Sequence, residues 1–440
     1  MQAAAQMDND WEAPVAPGPV HATISVPGSK SMTNRALVVA ALSDGPTTIT
    51  GPLRARDTDL MAAAIAALGA TVQRARSDDG SADDRGSWTV TPGWTSEAAR
   101  VDVGNAGTVL RFVPPVAALS KADVRFSGDP RAAERPVGQL LSGLRQLGVE
   151  IEDGGRGAVP FTIRGHGGVR GGLVTLDASS SSQFVSALML AAPRYDTGVA
   201  IRHFGGRIPS APHIAMTVAM LVAAGGRVES GDESWRVWPG PLGAGTITVE
   251  PDLSNAAPFL AAALVTGGEI TIAGWPEPSL QAARPILEVL TEMGATGTAT
   301  PAGLRVRGAG RIRGIRADLR DISELTPVLC ALAAMADSPS QFTGVGHLRL
   351  HESDRLAALA AEIGALGGQV TELADGLHVQ PRPLRPGAEP FDSYDDHRLV
   401  MAAAVLGLAV PGMRVRNAQT VGKTFPDFAG LWRQMLEHPS

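Results

Sequence analysis

Only one cysteine, Cys330, occurs in 440 residues. That excludes an internal disulfide and any Cys-rich metal site. It lies in an apolar stretch, 327–335, and reads as buried filler. Lysine is nearly as scarce: Lys30, Lys121 and Lys423 are the full set, against arginine almost everywhere else. A lysine retained in such a chain marks a place that needs a compact ammonium. Aromatics make up 4%, so the core must be built from Ala, Val, Leu and Gly, packed closely. No apolar run reaches the roughly 18 residues of a membrane helix. The nine histidines show no HExxH or paired ligand spacing, so no metal is expected. A net charge of −6 argues against a nucleic-acid coat. Residues 1–20 lack a cationic start and an apolar centre, so they read as a tail and not a signal peptide, and the cytoplasm follows. The length suggests roughly two to four domains.

What is present is a repeat. One amphipathic helix recurs with apolar residues at i, i+4 and i+7. Its copies are Met61/Ile65/Leu68, Leu140/Leu144/Leu147, Ile214/Val218/Leu221, Ile286/Leu290/Met293, Leu359/Ile363/Leu366 and Phe428/Trp432/Met435. Five end at a glycine that caps the helix: Gly69, Gly148, Gly225, Gly294 and Gly367. Alternating runs such as 70–72 and 149–151 follow as strands. A second, Ala-rich helix begins near Ser31, Asn105, Ser181, Ser254, Ser323 and Asp395. The starts recur every ~70 residues, which makes six small α/β units. The residues suggest the order strand, helix, strand, strand, helix, strand, with buried helices and mixed sheets. Ser77–Ser87 and Gly154–Gly157 read as exposed hairpin tips, and Arg382–Pro390 as a loop.

The stretch Val26–Leu42 carries the strongest local signal. Pro27-Gly28-Ser29 is a turn that opens a helix, and such an opening presents unpaired N–H groups to an anion. Lys30, Ser31 and Arg35 stand on it, with Ser31 and Arg35 four residues apart on one face. The order Gly-Ser-Lys-Ser lacks the glycine before lysine that a P-loop needs. Other Ala-rich helices open on polar clusters too. N-caps explain one residue in each. They do not explain Arg35, Arg111 and Arg398, because a cation near a positive helix end is unfavourable unless an anion intervenes.

Further candidates follow along the chain. Gly104–Thr108 with Arg111 is a glycine-flanked opening that lets a ligand approach the backbone. Arg135 precedes Pro136, placed at the first position of a helix. Ser179–Gln183 is a run of hydroxyls entering an apolar helix. Glu324 reads as lying just inside such a helix, as a poised base or a dipole-favoured carboxylate. His351–Arg355 combines a Glu, a His and an Arg, the makings of a general acid or base, or simply a charged cap. Asp395–Arg398 and Gly422–Asp427 each put a cation at a helix start.

Taken in order, these motifs resemble the 5-enolpyruvylshikimate-3-phosphate synthase family of 3-phosphoshikimate 1-carboxyvinyltransferases, with details most similar to its actinobacterial branch. They are VPGSKSMTNRAL, GNAGT with Arg111, RPVG, SSQF, HESDRL, DDHR and KTFPDF, over roughly residues 20–437. The resemblance implies an α/β, two-domain inside-out barrel of six βαβαββ-type units. Domain one would be 29–247. Domain two would be 1–28 with 248–440, and the active site would lie in the cleft between them.

The reaction it implies moves the enolpyruvyl group of phosphoenolpyruvate to the 5-hydroxyl of 3-phosphoshikimate. Phosphate leaves by addition–elimination through a tetrahedral intermediate, in the shikimate route to chorismate and aromatic amino acids. By motif position, Lys30, Ser31, Arg35, Ser181, Ser182, Gln183 and Ser210 would hold 3-phosphoshikimate, with Glu324 and His351. Lys30, Gly107, Arg135, Gln183, Arg355, Arg398 and Lys423 would hold phosphoenolpyruvate. Glu324 would take the hydroxyl proton, and Glu352 with Lys30 would protonate the methylene. No cofactor or metal is implied, nor any nucleic-acid or membrane partner, and a monomer is expected.

The chain departs from the enterobacterial pattern at His351, where Lys is common, and at His347 and His213, where Asn and Tyr are. Glu324 stands for Asp and Phe112 for Pro. An unperturbed His titrates near pH ~6.5, so 3-phosphoshikimate affinity is expected to fall between about pH 6 and 8. Gly107 leaves room beside the phosphoenolpyruvate site, where glyphosate should compete. UDP-N-acetylglucosamine enolpyruvyl transferases share the fold and donor, but usually carry a Cys in a mobile loop of the first half. A non-catalytic phosphosugar-binding scaffold would need no Glu324/Glu352 pair.

Overall fold

A computed structural model describes residues 10–75 and 86–437. Most of the hairpin tip expected at 77–87, and the first nine residues of the expected tail, fall outside these limits. The rest of that tail is not free. Trp11–Glu12 forms a strand antiparallel to Arg414–Arg416, and the Ala13 N–H donates to the Met413 carbonyl at 2.9 Å. Ala13 is buried, and Trp11 sets its ring edge on Phe428. The apolar Trp and Ala outweigh the Pro-rich, acidic composition that suggested a tail.

The chain divides into two units. One is Pro27–Glu250; the other joins the described residues through Val26 to Pro251 and onward. Five of the six repeats share one plan, and Ala99–Ile163 shows it. Strand Ala99–Asp102 lies parallel to Val124–Ser127, with Ala99 opposite Val124. A parallel pair needs a crossover, and the buried helix Gly107–Ala117 supplies it. The amphipathic helix Gly138–Gln146 then leads to the antiparallel pair Ile151–Glu152 and Phe161–Ile163. The order is therefore strand, helix, strand, helix, strand, strand, which corrects the arrangement read from the residues. The misplaced strand belongs to the hairpin after the amphipathic helix, because antiparallel neighbours need only a short turn.

Two strands are exchanged between repeats. His21–Ile24 precedes the helix Lys30–Ala41 but pairs in parallel with Glu269–Ala273. Thr246–Thr248 precedes the helix Leu253–Thr266 but pairs with Thr47–Thr50. The sixth repeat ends in a helix, Phe428–Glu437, and its three-stranded sheet is completed by Trp11–Glu12.

Three Ala-rich helices centre each core: Lys30–Ala41, Gly107–Ala117 and Gln183–Ala191 in one unit, and Leu253–Thr266, Thr326–Ala334 and His397–Gly407 in the other. Four of the few aromatics, Phe259, Phe425, Phe428 and Trp432, pack on one another in the second. The glycines that end the amphipathic helices sit in the left-handed region, from φ +87° at Gly148 to +113° at Gly69, where a Cβ is unfavourable. Among the described residues, no helix is long and apolar enough to cross a membrane.

Candidate active site

In the unit 27–250, the Ser29 hydroxyl caps the helix Lys30–Ala41 by accepting from the Met32 N–H. A Cβ on Gly28 would collide with the Gly51 carbonyl, so only glycine lets this turn close. Lys30, first in the helix, places Nζ 3.1 Å from the Asp57 carboxylate. Arg35 points into the core. Its Nε donates to Thr217 Oγ1 at 2.7 Å, Nη1 to the Ser31 carbonyl, and Nη2 to the His213 carbonyl and Ser186 Oγ. Burial lowers its pKa to about 9. Arg35 thus ties three helices together.

The helix Gly107–Ala117 starts beneath two guanidinium groups. A Cβ on Gly107 would lie 2.5 Å from Arg135 Nη2 and 2.8 Å from Arg111 Nη1. Arg135 is held by the Asn105 carbonyl at 2.7 Å. Arg111 donates to Gln183 Oε1 at 3.3 Å and lies over the Phe184 ring. Both arginines are buried. Pro136 lies ahead of the helix Gly138–Gln146 and not at its first position. Gln183 begins its own helix, and its N–H donates to Ser181 Oγ. Ser182 is buried beside it. Ser210 holds φ +52°, a strained value for a residue with a side chain.

In the other unit, Glu324 lies on a 3-10 turn, Arg320–Leu325, kinked at Ile322, and not inside the α-helix that starts at Thr326. The break lies at Ile322, whose φ −133° and ψ 32° leave the helical path, while Pro327, lacking an N–H, sits in the first turn of the α-helix. Ser323 Oγ meets His347 Nε2 at 3.0 Å. Burial pushes His347 down to about 4, against the opposing pull of Glu324 and Asp375. His347 is therefore neutral at pH 7.

Arg355, first in the helix Arg355–Ala365, is the hub of this half. It grips Asp396 and also donates to Glu352 Oε2 at 2.9 Å and to His351 Nδ1 at 3.3 Å. A guanidinium can only donate, so His351 accepts at Nδ1. Burial opposes the Arg355 charge, but Asp396 and Glu352 outweigh it and raise its pKa. Asp396 also caps the helix His397–Gly407.

Arg398 differs. It is buried, and among the described residues its side chain makes one hydrogen bond, a long one to Met401 Sδ at 3.8 Å. Burial lowers its pKa although Asp252, Glu324 and Asp396 pull the other way. A buried cation with so little direct neutralisation is costly unless an anion arrives. Lys423 Nζ lies 2.6 Å from the Asp395 carbonyl.

The sequence candidates thus gather into two clusters, one per unit. Sequence reasoning missed Asp57 and Asp396 as partners of Lys30 and Arg355. Their only signal was an acid at a helix start, which the helix dipole explains for Asp57 and capping for Asp396. Cys330 is buried in the helix Thr326–Ala334, and burial pushes its thiol up to about 12, so it is inert. No group of three or more side chains able to hold a metal occurs among the described residues.

Residues 15–432 match the family model of EPSP synthase (3-phosphoshikimate 1-carboxyvinyltransferase). Among solved structures, an EPSP synthase from Acinetobacter baumannii is 25% identical, with TM-score 0.77 over 96% of this chain and 97% of that one. A second structure from that organism is 24% identical at the same TM-score. The enolpyruvyl transferase NikO from Streptomyces tendae, 17% identical, matches at TM-score 0.73 over 96% of both chains, a likeness of fold.

Proposed function

The chain belongs to the EPSP synthase family, and we propose a division of labour among its own side chains for that family's reaction. The reaction transfers the enolpyruvyl group of phosphoenolpyruvate to 3-phosphoshikimate, in aromatic biosynthesis. The 5-hydroxyl oxygen bonds to the enol carbon while the methylene gains a proton. The tetrahedral intermediate then loses phosphate by C–O cleavage, and the methyl gives its proton back.

Lys30, Ser31, Arg35 and Ser210 hold 3-phosphoshikimate together with Ser181, Ser182 and Gln183. Glu324 and His351 complete the set for this substrate. Arg135, Arg355, Arg398 and Lys423 neutralise the carboxylate and phosphate of phosphoenolpyruvate, with Lys30 and Gln183 shared and Gly107 giving room. Glu324 removes the hydroxyl proton; Glu352 with Lys30 delivers one to the methylene, the usual split of acid and base. Side chains of both units contribute to this reaction. Glyphosate competes at the phosphoenolpyruvate subsite. The enzyme works as a cytoplasmic monomer.

The observation that supports this most is Arg398, a buried guanidinium held mainly by a thioether. An incoming carboxylate or phosphate would supply the missing charge-assisted bonds. Calorimetric titration of phosphoenolpyruvate onto the enzyme with 3-phosphoshikimate present tests it. Arg398→Met should weaken binding by tenfold or more, ~1.4 kcal/mol. Unchanged affinity would remove Arg398 from the site.

A further inference from the structure

Three non-glycine residues of the second unit adopt left-handed backbone around one turn: Tyr394 (φ +50°), Asp395 (φ +54°) and Asn417 (φ +55°). Asn and Asp tolerate this region better than other side chains, yet it remains uncommon. Such strain persists only where the surroundings hold it, and it gathers at functional sites. Here the surroundings can be named. The Asn417 amide Nδ2 donates to Asp395 Oδ1, and Ser393 Oγ donates to the Asn417 carbonyl at 3.3 Å. Thr420 Oγ1 and Lys423 Nζ both donate to the Asp395 carbonyl, at 3.1 and 2.6 Å.

The spacing has a physical cause. Asn417 caps the 3-10 helix Ala418–Lys423. A 3-10 helix has three residues per turn, so side chains three apart eclipse. Thr420 and Lys423 therefore share one face, Asn417 stands just ahead of the helix, and Asp395 meets all three. An α-helix over the same residues would rotate them apart.

We infer that Asn417 is a positioning residue for Lys423. Its amide closes on the Asp395 carboxylate and holds Asp395 in the left-handed conformation, which fixes the carbonyl that aims the lysine ammonium. Asp396, next in the chain, starts the helix that carries Arg398, so the same turn sets the register of two cations. This inference rests on the reading of Lys423 as a phosphoenolpyruvate ligand.

Steady-state kinetics with phosphoenolpyruvate varied, on the full-length enzyme, test it. Asn417→Ala should raise KM for phosphoenolpyruvate three- to tenfold and change kcat by less than twofold. Asn417→Asp, which sets two carboxylates face to face, should do at least as much damage. The double exchange Asp395→Asn with Asn417→Asp restores one donor and one acceptor, both tolerant of left-handed backbone, and should bring KM back to within twofold of wild type. If Asn417→Ala does not fold, Asn417→Gly removes the amide while keeping the backbone conformation accessible, and should raise KM likewise. Lys423→Met serves as the reference. If Lys423→Met raises KM and the Asn417 variants do not, the inference is overturned. The same holds if the double exchange fails to recover. If Lys423→Met itself leaves KM unchanged, the reading of Lys423 as a ligand falls first, and the inference with it.

Discussion

Arg355 donates from Nε and Nη2 into the two oxygens of Asp396, at 2.8 and 3.1 Å, with both side chains buried. Two helices begin at this pair, since Asp396 also caps the helix that carries Arg398. Breaking a buried pair strands the remaining charge, which costs about 3–5 kcal/mol. Asp396→Ala should destabilise the protein by that order in denaturant unfolding. Asp396→Asn keeps a good N-cap and should lose less. Equal stability of wild type and Asp396→Ala would show the pair to be idle.

Gly107 lies under the Arg135 and Arg111 guanidinium groups, and a methyl there must push both aside. Gly107→Ala should lower kcat/KM for phosphoenolpyruvate by about tenfold, ~1.4 kcal/mol. Glyphosate inhibition should weaken in parallel. A variant that stays equally sensitive would mean that Gly107 does not border the donor subsite.

Glu352 accepts from Arg355 and lies at the edge of the second cluster. If it moves a proton, Glu352→Gln should cut turnover by about 10²–10⁴ while both ligands still bind. Calorimetry alongside initial rates separates these effects. Turnover at the wild-type level would take Glu352 out of the chemistry and leave the scaffold reading open.

His347 gives the stability a pH dependence. Burial holds His347 at about 4, below its unfolded value of ~6.5. The unfolded chain therefore takes up the proton first as pH falls. The stability due to neutral His347 is full above about pH 6.5 and is lost toward pH 4, by at most ~3 kcal/mol. His347→Asn should flatten the fall in denaturation midpoint between those limits; an unchanged slope would contradict the assignment. His351, which accepts from Arg355 at Nδ1, is the residue whose exchange tests the proposed pH dependence of 3-phosphoshikimate affinity. A flat titration, unaltered in His351→Lys, would remove that role.

Much of the fold was legible because it is local. Amphipathic spacing located each surface helix, and a glycine such as Gly69 or Gly367 ended it in the left-handed conformation that only glycine adopts cheaply. The strand order was not legible from periodicity, which does not say which strand pairs with which. The partners of His21–Ile24 and Thr246–Thr248 lie some two hundred residues away, and only family resemblance hinted at the first. The cations were visible as residues out of place at helix starts. Their carboxylate partners were not: Asp57 stands in a first helical turn and Asp396 at an N-cap, places where an acid is ordinary, and the contacts to Lys30 and Arg355 exist only after folding. Glu324 was placed inside a helix because the 3-10 turn ahead of Pro327 has the same apolar flanks.

Phosphate release, followed continuously, tests most directly whether the two clusters serve one substrate pair. The wild-type enzyme should release phosphate only when 3-phosphoshikimate and phosphoenolpyruvate are both present. Lys30→Met, in one unit, and Arg355→Met, in the other, should each lower kcat/KM for phosphoenolpyruvate by at least tenfold. Release from phosphoenolpyruvate alone, or a wild-type value in either variant, would contradict the account.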